Sequence, residues 1–159
     1  MDELLKLLER NALERPATLA RMLDTTEEDV RERIARYEEE GIIRGYRAVV
    51  NEDRLDTNDV QAVIEVKITP EREGGFDRIA QTLSRFDEVH SLFLMSGGYD
   101  LLVFVKGSTL KEVATFVSEK LATINGVIST ATHFMLKTYK DQGILMEEEP
   151  DHERLPVSP

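Results

Sequence analysis

Apolar residues recur at helical spacing through the first forty residues of the chain. Three groups of them each define one face of a helix, and polar residues fill the positions between. The groups are Leu4, Leu5, Leu8 and Ala12, then Leu19, Ala20 and Leu23, and last Val30, Ile34 and Tyr37. This spacing predicts three helices that pack on one another, with a tight polar break at residues 24–26 before the third.

Both ends of the third predicted helix carry residues that favour helix termini. Thr26 suits the N-cap, because its hydroxyl can accept a hydrogen bond from the amide of Asp29. Gly41 suits the left-handed conformation in which many helices end. A short helix, a tight turn and a second helix with an exposed polar face form a helix-turn-helix pattern, which places its second helix in the DNA major groove. The pattern fits equally well a three-helix packing module with no nucleic-acid role.

The second half of the chain changes to a period of two. A strand over residues 42–50 and a polar linker over 51–59 precede the change, and we place the domain boundary in that linker. The predicted elements that follow are strand 60–68, a helix opened by Gly74-Gly75, strand 89–95, strand 99–106, a helix from residue 108 or 109, and strand 127–139. The order βαββαβ indicates a ferredoxin-like arrangement.

One face of such a sheet is covered by its two helices, and the other has no covering layer in this chain. We expect that open face to carry Ile64, Leu94, Phe104 or their neighbours. An uncovered apolar face predicts self-association, here as a two-fold dimer packed sheet against sheet. The predicted class is therefore α+β: an N-terminal winged-type helix-turn-helix domain (1–50), the linker (51–59), a ferredoxin-like domain (60–140) and an acidic tail (141–159).

Composition narrows the chemistry. The chain of 159 residues is 41% hydrophobic, which is enough to form a core, and it holds no cysteine. Its three histidines are scattered without metal-ligand spacing, and no nucleophile–base grouping or phosphate-binding glycine loop is present. We therefore expect no catalytic residues, no metal and no cofactor. No apolar run approaches membrane-spanning length, so we expect a cytoplasmic protein with no membrane partner.

Net charge is unfavourable for a DNA-binding protein. It is −11 over the chain, and residues 1–54 hold ten Lys/Arg against fourteen Asp/Glu, a net of −4. Neutralisation of phosphates supplies most non-specific DNA affinity. The placement of the charges therefore matters more than their sum.

Two segments resemble the Lrp/AsnC family of transcription regulators. Residues 38–46, EEEGIIRGY, followed by Ala48-Val49-Val50, resemble the helix end and β-arm of that family. Residues 96–103, SGGYDLLV, resemble the Gly-x-Tyr-Asp loop and strand of its ligand-sensing domain, and Gly126-Val127 fits the start of its last strand. The resemblance covers residues 3 to 140. It implies a homodimer, or higher multiples of dimers, that binds double-stranded DNA and responds to a small effector such as an amino acid.

The resemblance also implies site residues. In the effector site Asp100 would hold an α-amino group, and glycine amides or Thr132 a carboxylate. The implied effector residues are Gly97, Gly98, Tyr99, Asp100 and Thr132. Three of these residues also have a plainer interpretation, in which Gly97 and Gly98 only allow two strands to reverse direction and Asp100 caps that turn.

The predicted DNA contacts lie on the third helix and just after it. Arg33 and Arg36 are three residues apart and are expected to share an outward strip with Arg31 beside it. The predicted set is Thr26, Arg31, Arg33, Arg36, Arg44 and Arg47. The alternative is that these arginines pair with Glu27, Glu32 and Glu40 on a solvated surface.

The start of the third helix departs from the family. Small hydroxyl residues are usual there, whereas this chain has Glu27, Glu28 and Asp29. Carboxylates beside phosphates lower DNA affinity. The departure keeps open a second function, a sensor or protein-interaction module on the same scaffold that does not bind DNA.

Overall fold

The computed structural model describes residues 2–69 and 75–147. It is an α+β structure whose chain divides into two compact units, residues 1–49 and 50–159. Each unit has a hydrophobic core of its own. Gly74 of the predicted Gly74-Gly75 opening and residues 148–159 of the predicted tail lie outside the described residues.

The first unit consists of three helices. They are α1 (Glu3–Arg10), α2 (Pro16–Met22) and α3 (Glu27–Glu39). Their core is small and is formed by the apolar positions that the helical spacing selects: Leu4, Leu8, Leu19, Ala20, Val30 and Tyr37. A core of six buried side chains gives a unit of this size only a small reserve of stability.

The predicted ends of α3 are confirmed. The Thr26 hydroxyl accepts a hydrogen bond from the amide of Asp29 at 3.1 Å, and Gly41 follows the helix with a φ of 70°. In the turn between α2 and α3, Asp24 adopts a φ of 51°, a left-handed conformation that aspartate tolerates better than most residues. These local signals fix where α3 begins and ends.

The prediction of a strand over residues 42–50 is wrong. The structure contains no strand between Gly41 and Val50. A strand requires a neighbouring strand to receive its N–H and C=O groups. The segment is instead fastened to α3 at its start, where the amide of Ile43 donates to the Tyr37 carbonyl at 3.0 Å.

The second unit is built on a four-stranded antiparallel sheet. Its elements follow the predicted order. They are β1 (Val60–Ile68), α4 (Gly75–Leu83), β2 (Val89–Leu94), β3 (Leu101–Gly107), α5 (Leu110–Thr115, continued by a π-helical turn Phe116–Leu121) and β4 (Val127–Phe134). In the sheet the strands lie in the order β2-β3-β1-β4. Thr109 caps α5 by accepting from the amide of Glu112 at 3.1 Å.

Alternate residues of the two central strands form the main core. Ile64 faces Val103 across the β1–β3 ladder, and both are fully buried with helices α4 and α5 against them. The buried positions are Ala62, Ile64, Val66 and Ile68 on β1, Leu101, Val103 and Val105 on β3, and Ile79, Leu83, Val113, Phe116 and Leu121 on the helices. The assignment of Ile64 to the open face is therefore wrong, because its neighbours on either side, not Ile64, point away from the helices.

The open face carries the other set of alternate residues. Val63 pairs with Phe104, and Glu65 with Leu102, which in turn pairs with Phe93. The Phe93 and Phe104 rings meet edge to face with centroids 6.0 Å apart, and Phe93 is 51% exposed. Phe104 thus lies on this face as predicted, whereas Leu94 pairs with the buried Leu101 and belongs to the helix side.

The segments that precede and follow the sheet in the chain differ from the prediction. Residues 52–54 of the linker form a short 3-10 helix, and Lys106 on the open face pairs with Glu52 and Asp59 at 3.0 Å each. β4 ends at Phe134 and not near Tyr139, because its pairing with β1 ends opposite Ala62.

The first residues of the predicted acidic tail are part of this fold. Lys140–Asp141 and Ile144–Leu145 form a short hairpin. Met146, which follows it in the chain, is buried. The side-chain amide of Asn51 donates to the Met146 carbonyl at 2.6 Å. Residues 141–147 are therefore held against the start of the same unit.

Among the described residues, no helix combines the length and apolar character needed to cross a membrane.

Candidate nucleic-acid interface and effector loop

Two arginines of α3 are exposed, one on each side of the helix. Arg31 forms an ion pair with Glu27 one turn earlier, its Nε donating at 3.2 Å. Arg36 is exposed, with its guanidinium 5.5 Å from the centroid of the Tyr37 ring. Exposed pairs at i, i+4 are weak, about 0.3–0.5 kcal/mol, so Glu27 can release Arg31 to a phosphate at little cost.

Arg33 is placed differently, and the prediction that it shares an outward strip with Arg36 is wrong in this respect. Its side chain is only 23% exposed, because it lies beside the core residue Tyr37 and turns towards the start of α1. There it pairs with Asp2 at 2.7 Å, and it also reaches Asp29 at 3.4 Å. The partners are not the glutamates that the helical spacing suggested.

The outermost line of α3 is acidic. With each residue turned by 100° from the one before it, four residues lie opposite the buried Val30 and Tyr37. All four are exposed: Glu28, Glu32, Ala35 and Glu39. Arg31 and Arg36 flank this line on its two sides. An approaching duplex would therefore meet carboxylates at the centre of the helix face and guanidinium groups at its margins.

The two remaining predicted arginines follow α3. Arg44 and Arg47 are exposed on the segment that leaves the helix. That segment is anchored by the Tyr46 hydroxyl, which donates to Glu38 at 3.0 Å. Burial and the neighbouring Glu38 carboxylate raise the pKa of Tyr46, so this hydroxyl keeps its proton. The last predicted contact, Thr26, is exposed at the N-cap with its hydroxyl oxygen occupied by the Asp29 amide.

The predicted effector loop is exposed at the entrance to β3. Gly97 has a φ of 146°, and a side chain added at either Gly97 or Gly98 would meet open space. Asp100 is a structural residue of this loop: one carboxylate oxygen accepts from the Ile68 amide at 2.8 Å, and its own amide donates to Val66 at 3.0 Å. Its second carboxylate oxygen is the group that could meet a ligand.

The sheet register separates Thr132 from that loop. Thr132 lies on β4 opposite Ile64, which is level with Val103, two residues inside β3. Thr130 lies opposite Val66, level with Leu101 at the end of the loop. Of the two β4 threonines, Thr130 is therefore the nearer to the level of the loop. Sequence spacing alone does not show this, because it requires the register.

One further residue was not predicted. Asp2 joins the third helix through Arg33, although the two are 31 positions apart in the chain. No local sequence signal marks such a pair. In the described parts of the chain, no group of three histidine, aspartate or glutamate side chains is arranged to hold a metal ion.

Comparison with solved structures identifies the fold of this chain. The structure resembles Escherichia coli AsnC, with a TM-score of 0.65 and 24% identity over 87% of this chain and 93% of that one. It also resembles the Neisseria meningitidis transcriptional regulator NMB0573, crystallised with L-Met, with a TM-score of 0.69 and 23% identity over 89% and 93%. At this level of identity the likeness shows a shared fold.

Sequence comparison then gives the family. Residues 61–145 match the model of the Lrp/AsnC ligand binding domain. The chain is also 42% identical over 158 residues to the uncharacterized HTH-type transcriptional regulator YugG of Bacillus subtilis, and the match covers 99% of this chain and 95% of the relative. The chain belongs to the Lrp/AsnC family, which confirms the resemblance found in its sequence.

Proposed function

We propose that this protein is a DNA-binding transcription regulator whose assembly is modulated by a small effector. The observation that carries the proposal is the near full-length match to an HTH-type transcriptional regulator, which includes the three-helix unit as well as the sheet unit. The comparisons support this function and give no support to an interaction module without DNA binding.

The architecture supports a division of labour between the units. In residues 1–49, the succession of α2, a tight turn at Asp24 and α3 supports a helix-turn-helix with α3 as the recognition helix. In the second unit, the order βαββαβ and the strand order β2-β3-β1-β4 support a ferredoxin-like arrangement. We assign DNA binding to the first unit, and dimerisation and sensing to the second.

The DNA-binding surface, as proposed, consists of the exposed arginines around an acidic centre. Arg31 and Arg36 would contact phosphates on the two sides of the groove, and Arg44 and Arg47 would contact the backbone beyond the end of α3. Phosphate contacts position a protein on DNA and carry no sequence information themselves. Four such contacts would set positive charge directly against the phosphates, although residues 1–54 carry a net charge of −4.

Replacing Arg31 and Arg36 by alanine together is expected to weaken binding to any duplex. Each lost phosphate contact removes about 0.9 from the slope of log K against log salt, so the double variant should have a slope shallower by about 1.8. The measurement is a fluorescence-anisotropy titration over a salt series. Lys111→Ala, an exposed cation on α5 in the second unit, is the matched control and should leave the slope unchanged. An unchanged slope in the double variant would contradict this assignment.

The open sheet face is the proposed dimer surface. Val63, Phe93, Leu102 and Phe104 provide the apolar centre, and the Glu65–His133 pair at 3.4 Å lies beside it. A two-fold dimer would present two copies of α3 to half-sites about one helical turn apart, ~34 Å. Packing the same face of two protomers together gives the self-complementary interface of such a dimer.

The loop of residues 96–100 is the proposed effector site. A loop this exposed cannot enclose a ligand by itself, so the pocket would be completed by a second protomer. The second carboxylate oxygen of Asp100 would receive an α-amino group, and the amides of Gly97 and Gly98 a carboxylate. The neisserial structure carries L-Met, which makes an amino acid the first ligand class to test.

One of the common amino acids is expected to raise the melting temperature of the protein and shift its assembly mass. A ligand at a hundredfold excess over its Kd stabilises the state that it binds by about 2.7 kcal/mol. Thermal scanning and native mass measurement with a panel of amino acids test this. Gly98→Ala should weaken the response, whereas Gly45→Ala, also with open space for its new methyl group, should not. A panel in which no amino acid changes either property would count against sensing of amino acids.

A further inference from the structure

A hydrogen-bonded cluster holds Arg33 at the edge of α3. Both oxygens of the Asp2 carboxylate accept from Arg33 Nη2, at 2.9 and 2.7 Å. The Tyr37 hydroxyl donates to the same carboxylate. On the other side, Arg33 Nη1 lies 3.4 Å from Asp29, and the Thr25 hydroxyl donates to that same Asp29 oxygen at 3.0 Å.

The cluster keeps its charges at neutral pH. The Tyr37 hydroxyl and the Arg33 guanidinium lower the pKa of Asp2 to about 2, and the Asp2 carboxylate raises the pKa of Arg33. The Asp2 and Arg33 side chains are 31% and 23% exposed, so the pair is partly shielded from water and salt. It is therefore more persistent than the pair of Arg31 with Glu27, whose side chains are 64% and 44% exposed.

Arg33 lies one turn before Arg36 on the same side of α3. Without its partners, its long side chain could follow Arg36 towards a phosphate. In the cluster the Arg33 guanidinium already has the Asp2 carboxylate on one side and the Asp29 carboxylate on the other. The carboxylate of Asp2 accepts from Arg33 Nη2, a donor that a DNA phosphate would otherwise need.

We propose that Asp2 is a positioning residue that withholds Arg33 from DNA and so lowers the affinity of the protein for DNA of any sequence. The proposal rests on the DNA-binding function proposed above. It removes Arg33 from the contact set and gives its charge an internal partner. A regulator gains from this arrangement, because phosphate contacts strengthen non-specific binding and leave discrimination between sequences unimproved.

The test compares Asp2→Ala with the intact chain on a random-sequence duplex over a salt series. One added phosphate contact should steepen the slope of log K against log salt by about 0.9, so the affinity gain at 50 mM salt should shrink about threefold by 200 mM. A merely structural role for Asp2 would give no gain in affinity and no steeper slope. Asp2→Asn, which keeps the size of the side chain, serves if the alanine variant unfolds.

Two further variants identify the source of the gain. Glu3→Ala removes one negative charge from the neighbouring residue, which pairs with Lys6 at 2.9 Å and not with Arg33, so it should not alter the slope. Asp2→Ala with Arg33→Ala should lose the whole gain. Arg33→Ala alone should leave the slope of the intact chain unchanged, and a slope shallower by about 0.9 would overturn the proposal.

Failure of this proposal differs from failure of the proposed function. If the intact chain binds DNA and neither Asp2 variant binds more tightly, Asp2 does not withhold Arg33 and only the present inference falls. If neither the intact chain nor any variant binds DNA, the proposed function fails and the inference falls with it.

Discussion

Phe104→Asp is expected to abolish the dimer proposed above and leave a monomer. Phe104 lies at the centre of the open sheet face, next to Val63 and in edge-to-face contact with Phe93. If a second copy covers this face, the new carboxylate is buried without a partner, which costs several kcal/mol on each side of the interface. Because both protomers carry the change, we expect dimerisation to weaken by at least about a hundredfold, or about 2.7 kcal/mol.

Analytical ultracentrifugation over a range of protein concentrations measures this effect. Leu110→Asp is the matched control, since Leu110 is exposed on α5, which packs on the opposite face of the sheet. It should leave the dimer intact. Circular dichroism must show both variants folded, and a folded Phe104→Asp protein that still sediments as a dimer would place the interface elsewhere.

Leu4→Ala is expected to unfold the three-helix unit while leaving the sheet unit folded. Leu4 is fully buried in a core of six residues, and truncation of such a leucine costs about 2–5 kcal/mol. That cost is comparable to the whole stability of a unit of about fifty residues. The variant should lose helical signal and DNA binding together but still form dimers.

Leu13→Ala removes the same atoms from a side chain that is 92% exposed and should leave stability and DNA affinity unchanged. Thermal unfolding followed by circular dichroism, combined with a DNA titration, distinguishes the two variants. Leu4→Ala with the helical signal and DNA affinity of the intact chain would contradict a core centred on Leu4.

The features that the sequence predicted well depend on neighbours in the chain. The cap at Thr26 involves a residue three positions away, and the end of α3 depends on the conformational freedom of Gly41 alone. The three helices follow in the same way from apolar residues at i, i+3 and i+4. Family membership was predictable because two separated segments resemble one family in the right order.

The features that the sequence did not predict depend on distant partners. The fate of Arg33 is decided by Asp2, which is remote in sequence and adjacent in space. The sequence after Gly41 has the pattern of a strand, but in the described structure no strand lies beside it. The spacing of residues along one segment does not show whether a partner strand is present. The sequence pattern assigns Ile64 to the wrong face. The reason is that β3 is apolar on both faces at Val103 and Phe104, so its pattern does not reveal which face the helices cover.

The effector loop shows a third limit. The motif identifies residues 97–100, but which β4 threonine lies nearer to them follows only from the register, which places Thr130 level with Leu101. A site completed by a second protomer depends on the dimer, which the sequence of one chain indicates only through its open apolar face.

Binding of the intact protein to genomic DNA fragments, including the one upstream of its own gene, tests the central claim most directly. The titration is made across a salt series with a random-sequence duplex as reference. A transcription regulator should bind a few fragments at physiological salt at least about a thousandfold more tightly than the reference. Equal and weak binding to every fragment would contradict that function and show that the acidic face of α3 does not read DNA.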